Sequence, residues 1–161
     1  MVTPTTLIED DIVVPPLQLR FTWHKEKLVH ITLQTTTKVQ QNCYRSRWAP
    51  CLHAALTRYC HTTPAQWPVL PLAWERVSPF ARTVLQTLLH TVGWGRWTTY
   101  GVLAQACQRP GGARAIGQVM RHNPWPIIVP CHRVLAAKGR LGGFSSGLDQ
   151  KKLLLSLERL L

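Results

Sequence analysis

The sequence predicts an α+β protein: a small N-terminal α/β domain over residues 1–75, built from a hairpin plus a helix, then a mainly helical domain over residues 76–161 that carries a helix-turn-helix. Three observations predict it. Two short β-type runs flank a charged turn near the N-terminus. Apolar residues recur at helical spacing through most of the remainder. Residues 76–148 hold nine bases and no acid, whereas five of the seven acids (Glu9, Asp10, Asp11, Glu26 and Glu75) precede them. Such asymmetry marks a nucleic-acid-facing module joined to a different N-terminal piece.

The elements follow in order. Residues 1–16, ending in Val14-Pro15-Pro16, read as an extended lead-in without the basic and apolar regions of an export signal. Leu17–Trp23 and Leu28–Leu33 form a hairpin around the charged turn His24-Lys25-Glu26-Lys27. Thr35–Arg47 is polar, a loop or weak strand. Trp48–Tyr59 has a helical period, and the proline-rich Thr62–Pro71 reads as the linker. Ser78-Pro79 supplies an N-cap and a first-turn proline for a helix ending near Gly93. Thr98 or Thr99 caps a helix from Tyr100 to Cys107, a glycine-containing turn follows, and a second short helix runs from Ala113 to about His122. Trp125–Val129 reads as extended, fixed by Pro126 and Pro130. A glycine-rich loop over Lys138–Gly147 leads to an amphipathic helix, Leu148–Leu161.

The formal charge of +12 points to a polyanionic partner. No run of about 18 apolar residues exists, so no membrane span is expected. The five cysteines, an odd number without an export signal, read as reduced thiols in the cytoplasm. Cys43, Cys51 and Cys60 match no zinc spacing, and no metal is expected.

The helix pair is a helix-turn-helix candidate, with an ordinary αα-hairpin as the plainer alternative. Arg114, Gln118 and Arg121 share one face of its second helix, while Ile116 and Met120 turn inward. Ala113, Ala115 and Gly117 are small enough for close approach to a flat partner. Pro130-Cys131-His132-Arg133 is the chief chemical signal. If Pro130 starts a helical turn, Cys131 lies where the dipole, Arg133 and His132 would lower its thiol pKa. A buried structural cysteine beside a surface histidine is the plainer reading. Trp125, flanked by prolines just upstream, could line the same site.

Thr99-Tyr100-Gly101-Val102-Leu103-Ala104, Ala113-Arg114-Ala115-Ile116-Gly117, and Asn123-Pro124-Trp125-Pro126-Ile127-Ile128-Val129-Pro130-Cys131-His132-Arg133-Val134 together resemble the O6-alkylguanine-DNA alkyltransferases, also called methylated-DNA–protein-cysteine methyltransferases. Gly142-Gly143-Phe144-Ser145-Ser146-Gly147-Leu148, Lys151, Leu154 and Glu158 continue the match, which covers about residues 76–160. The resemblance implies direct-reversal DNA repair, in which an alkyl group passes irreversibly from guanine O6 to Cys131, once per molecule and without a cofactor. It implies that Tyr100 assists base flipping and protonates the leaving guanine, that His132 takes the thiol proton through a water, and that Glu158 orients the imidazole. It makes Arg114 the finger that fills the gap in the duplex and Asn123 the residue fixing the turn before the active segment. Val134 and Ser145, with Trp125 and Pro126, surround the base. The recognition helix (Ala113, Arg114, Ala115, Gly117, Gln118, Arg121) enters the minor groove of double-stranded DNA containing O6-alkylguanine. The implied protein is a bacterial-type cytoplasmic monomer without an obligate protein partner. A non-catalytic alkyltransferase-like recognition protein would lack the acceptor cysteine. A Cys-His hydrolase would need an oxyanion hole, for which no signal stands.

Overall fold

The computed structural model describes residues 6–161, so part of the lead-in read from the sequence, Met1–Thr5, lies outside the described residues. The chain forms two compact units, Met1–Arg76 and Val77–Leu161.

The first unit is a three-stranded antiparallel sheet, β1 (Ile8–Val14), β2 (Leu17–His24) and β3 (Lys27–Thr35), with a helix α1 (Ala49–Cys60). In β2 the alternation is regular: Leu17, Leu19, Phe21 and Trp23 are buried. In β3 the buried residues are Leu28, Ile31 and Leu33, whose parity changes once. A bulge between Thr22 and Trp23 accounts for it, because Trp23 pairs with Leu28 while Thr22 pairs with His30. One extra residue rotates the strand by half its period and returns all three side chains to the core face. α1 buries Leu52, Ala55, Leu56 and Tyr59.

Two expectations are corrected in this unit. The lead-in is strand β1, paired with β2 from Ile8↔Trp23 to Val14↔Leu17 through a turn at Pro15-Pro16. Its Glu-Asp-Asp run hides the alternation because Asp10 occupies a core-facing position and is fully buried. The Trp23 indole N–H (2.8 Å), the Arg45 N–H (2.6 Å), the Ser46 N–H (2.8 Å) and the Ser46 hydroxyl (2.5 Å) all donate to its carboxylate. Asp10 thereby ties the sheet to the backbone entering α1. The proline-rich Thr62–Pro71 is not a linker, because the chain straight after it returns to the sheet. Leu28 donates to the Pro71 carbonyl (2.9 Å) and Ala73 to the Leu28 carbonyl (3.0 Å). Asp11 and Cys43 exchange two bonds at the opposite edge. Each sheet edge is thus met by one bridge, which shortens the stretch open to intermolecular pairing.

The second unit contains α2 (Pro79–Thr91), a two-residue strand β4 (Thr98–Thr99), α3 (Tyr100–Ala106), α4 (Ala113–Arg121), a two-residue strand β5 (Val134–Leu135) and α5 (Leu148–Leu157). Ser78 and Thr99 accept from Ala81 N (3.2 Å) and Val102 N (3.2 Å), capping α2 and α3. α3 and α4 form the expected pair, and Ile116 and Met120 of α4 are buried. β4 and β5 pair in parallel, a link without a sequence signal at this length. Among the described residues no helix is long and apolar enough to cross a membrane.

Replacing Asp10 by Ala should lower stability by about 3 kcal/mol or more, because it strands several buried donors at once. Denaturant unfolding of Asp10→Ala against the parent measures this, and a loss within about 0.5 kcal/mol would contradict the tie between sheet and helix.

Candidate active site

After α4 the chain turns sharply. The Asn123 amide nitrogen donates to the Val129 carbonyl (2.9 Å), and its oxygen accepts from Trp125 N (3.0 Å). Val129 N donates to the Trp125 carbonyl (2.8 Å), and Ile127 has a φ of 72°. The segment expected to be extended is therefore a closed turn. Flanking prolines bias single residues toward extended angles, but Asn123 supplies both a donor and an acceptor that close the loop. Pro130 then opens one 3₁₀ turn, Cys131–Arg133, as expected from its place before Cys131. β5 follows at once. Its pairing of Thr98 with Val134 and Thr99 with Leu135 brings this turn beside Tyr100, the first residue of α3.

His132, Arg133 and Glu158 are buried together. His132 Nε2 lies 2.7 Å from Glu158 Oε1, and Arg133 donates through Nε to Oε2 (2.7 Å) and through Nη2 to Oε1 (3.0 Å). Arg133 Nη1 donates to the Val92 carbonyl (2.7 Å) at the end of α2. Burial alone would raise the Glu158 carboxyl. The bonds and charges of His132 and Arg133 outweigh it and hold the group at about 2. Burial lowers the His132 pKa, and Arg133 and Lys151 add to that against the pull of Glu158, so the imidazole is neutral at pH 7. A neutral ring donating from Nε2 to a carboxylate leaves Nδ1 as its basic nitrogen.

Cys131 is buried, and burial pushes its thiol above the ordinary value. A hydrogen bond with the Asn123 side chain, the charge of Lys151 and local backbone N–H groups pull the other way without prevailing. The expected lowering is thus corrected. A single 3₁₀ turn has little dipole to offer, and the Arg133 charge is spent on Glu158.

Cys131 opens onto a cavity of about 540 Å³. Tyr100 and the loop residues Gly143, Phe144 and Ser145 line one part; Ala113, Arg114, Gly117, Met120 and Arg121 of α4 line another. Arg114, Ala115, Gln118 and Arg121 are exposed. Trp125, Pro126 and Val134 do not line the cavity. Trp125 and Val134 are fully buried, drawn into the core by the turn and by β5, and Pro126 is half-buried. The Tyr100 hydroxyl donates to the Gly143 carbonyl (3.3 Å). Burial and then the Cys131 charge raise its phenol pKa, keeping it protonated. Gly142, at a φ of +66°, lies so close that an added Cβ would stand 3.1 Å from the Tyr100 ring.

Sequence reasoning gave no role to Lys151 and misassigned Arg133. Lys151 Nζ donates to the carbonyls of Val134 (2.7 Å), Leu141 (2.5 Å) and Gly143 (3.3 Å). Three acceptors use the three hydrogens of an ammonium. Burial lowers its pKa to about 8 against the pull of Cys131. The signal was present: Lys151, Leu154, Leu155 and Glu158 share one helical stripe, so Lys151 and Glu158 interrupt a core face.

Because the folded carboxyl of Glu158 is depressed, its stabilisation is complete above about pH 4.5 and fades as pH falls toward about 2. At pH 7, Glu158→Gln should cost about 3–5 kcal/mol by leaving Arg133 buried without its counter-charge. The difference from the parent should shrink over that acid window in melting curves. A constant difference would contradict the assignment.

A family model described as "6-O-methylguanine DNA methyltransferase, DNA binding domain" matches residues 79–160. The methylated-DNA–protein-cysteine methyltransferase of Mycolicibacterium paratuberculosis is 48% identical over 84 residues, 52% of this chain and 50% of that protein. Its counterpart from Thermococcus gammatolerans is 46% identical over 87 residues, 54% and 48% of the two chains. The match thus spans about half the length of these curated relatives. In three dimensions the likeness extends further. Mycobacterium tuberculosis OGT, crystallised in complex with DNA, superposes with a TM-score of 0.73 at 32% identity, over 92% of this chain and 91% of that one. The chain belongs to the 6-O-methylguanine DNA methyltransferase family.

Proposed function

We propose that this protein repairs DNA by direct reversal, taking a methyl or larger alkyl group from O6 of guanine in double-stranded DNA onto Cys131 Sγ. The observation that carries the reading is a thiol at the wall of a cavity of about 540 Å³ lined by the small and basic residues of α4, next in the chain to His132, which is held by Glu158. The cavity volume suits a small-molecule-sized group such as a base turned out of the stack. Ala113 and Gly117 give α4 a low profile for the minor groove, with Ala115, Gln118 and Arg121 along the same helix. Arg114, exposed near its start, fills the gap that the flipped base leaves.

The reaction balances within these groups. His132 takes the thiol proton, and Glu158 stabilises the imidazolium that forms. The sulfur lone pair attacks the alkyl carbon, the carbon–O6 bond breaks, and its electron pair remains on guanine. Tyr100 donates a proton to the leaving guanine and recovers one from His132. The products are unmodified guanine and a thioether on Cys131. Water does not cleave a thioether readily, so each molecule reacts once. Lys151 favours the thiolate electrostatically and fixes the loop carrying Gly143. Asn123 holds the turn that presents Cys131, and Ser145 borders the base. No cofactor enters this scheme. The protein acts as a monomer within a reducing compartment.

Incubation with duplex carrying labelled O6-methylguanine should move the label to Cys131 in a 1:1 ratio and stop; continued turnover, or label left on DNA, refutes the reading. Arg114→Ala should slow repair in duplex more than reaction with the free base, and equal losses would remove its finger role. The transfer rate should rise with pH just above neutrality as the thiol ionises and level off as Lys151 loses its charge near pH 8. Lys151→Met should lower the neutral-pH rate about tenfold or more, the effect of one pKa unit on the thiol; a wild-type rate in this variant would exclude Lys151 from thiolate stabilisation.

A further inference from the structure

We infer that the first unit carries its own contact for the sugar–phosphate backbone of DNA, in a cleft of about 200 Å³ between the β2–β3 turn and the segment entering α1. The inference rests on the reading of DNA as partner and adds a second, separate site. Lys25, Arg45 and Arg47 line the cleft beside Trp23 and Trp48, with Glu26 as the acid among its lining residues. Among the described residues none of these three cations forms a salt bridge, whereas Arg20 is paired with Asp11 and Lys27 with Glu75. Arg45 Nε donates to the Cys43 sulfur (3.5 Å), and the field of Glu9 reaches the group more weakly; Glu9 itself lies 4.0 Å from the Arg20 guanidinium.

The cations are held, not merely present. Asp10 fixes the backbone of Arg45 and Ser46 through the bonds described above. The Arg47 guanidinium lies 5.2 Å from the centroid of the Trp48 ring, which stacks on Trp23 at an interplanar angle of 9°. A guanidinium on an indole face is pre-ordered yet keeps its N–H edge for an anion. Lys25 and Glu26 have φ of 47° and 63°, the left-handed turn geometry that glycine or asparagine usually fills. Here two long charged side chains occupy it, placing Lys25 at the cleft. Three cations on an apolar floor suit repeated phosphates separated by sugars. Trp48 already stacks on Trp23 and carries the Arg47 guanidinium, so it offers a base less free ring surface. The contact is therefore indifferent to base sequence.

The test measures affinity for a short undamaged duplex by fluorescence anisotropy, with the full chain, between about 50 and 200 mM salt. Arg45→Ala/Arg47→Ala should flatten the plot of log affinity against log salt by about 1.8, or about 0.9 per lost phosphate contact. Lys38→Ala/Arg58→Ala removes the same charge from the same unit outside the cleft and should leave the slope unchanged. Arg47→Lys should keep the slope but weaken binding, because the planar fork over Trp48 is lost. A parental slope in the cleft pair, or an equal loss in the Lys38/Arg58 pair, overturns the site. Absence of salt-dependent binding in the parent protein would instead overturn the DNA reading itself.

Discussion

One buried carboxylate organises the second unit. Glu158 lies at the end of α5 and receives bonds from His132 and twice from Arg133, whose third nitrogen reaches the end of α2. Burying such charges is costly unless each is matched, so these groups form a set in which no member can be exchanged alone. The set joins three segments that have no backbone pairing with one another. It also determines a chemical state. A carboxylate satisfied by Arg133 stays ionised, and the imidazole beside it stays neutral with a defined tautomer.

The thiol is governed by an opposite balance. Enclosure disfavours its charged form, while Lys151, Asn123 and the local N–H groups favour it. The protonated form prevails at rest, which keeps a strong nucleophile unreactive toward stray electrophiles. In the proposed reaction, activation falls to a neighbouring base and to a substrate that fills the cavity. Lys151 serves two ends, since its three carbonyl bonds also hold together β5 and the loop that borders the pocket.

Much of the fold could be read from local chemistry. Ser78 and Thr99 marked helix starts that the structure retains, and the stripes of α2 and α4 pointed inward as their spacing required. What escaped was decided by distant partners. β1 carries acids because Asp10 is satisfied by Trp23, Arg45 and Ser46, none of them adjacent in sequence. The Trp125 turn is a local exception: the prolines suggested extension, while the Asn123 side chain, to which the resemblance had given the turn, closes it through bonds that no backbone propensity records. In the site, Cys131, His132 and Glu158 were legible from a motif and its spacing. The burial of Arg133 and Lys151 was not, because a basic side chain is normally solvated and its counter-charge lies elsewhere in the chain.

The order of residues along the chain has a consequence in time. Translation produces Cys131 before Lys151 and Glu158, and α5 cannot fold until it has been made. Until that helix docks, the cysteine is an ordinary thiol, without the enclosed cation or the carboxylate that orients its neighbouring ring. An unfinished or unravelled chain therefore carries Cys131 without the surroundings that α5 completes, and under the proposed transfer the single opportunity for reaction is kept for a molecule whose final helix is in place.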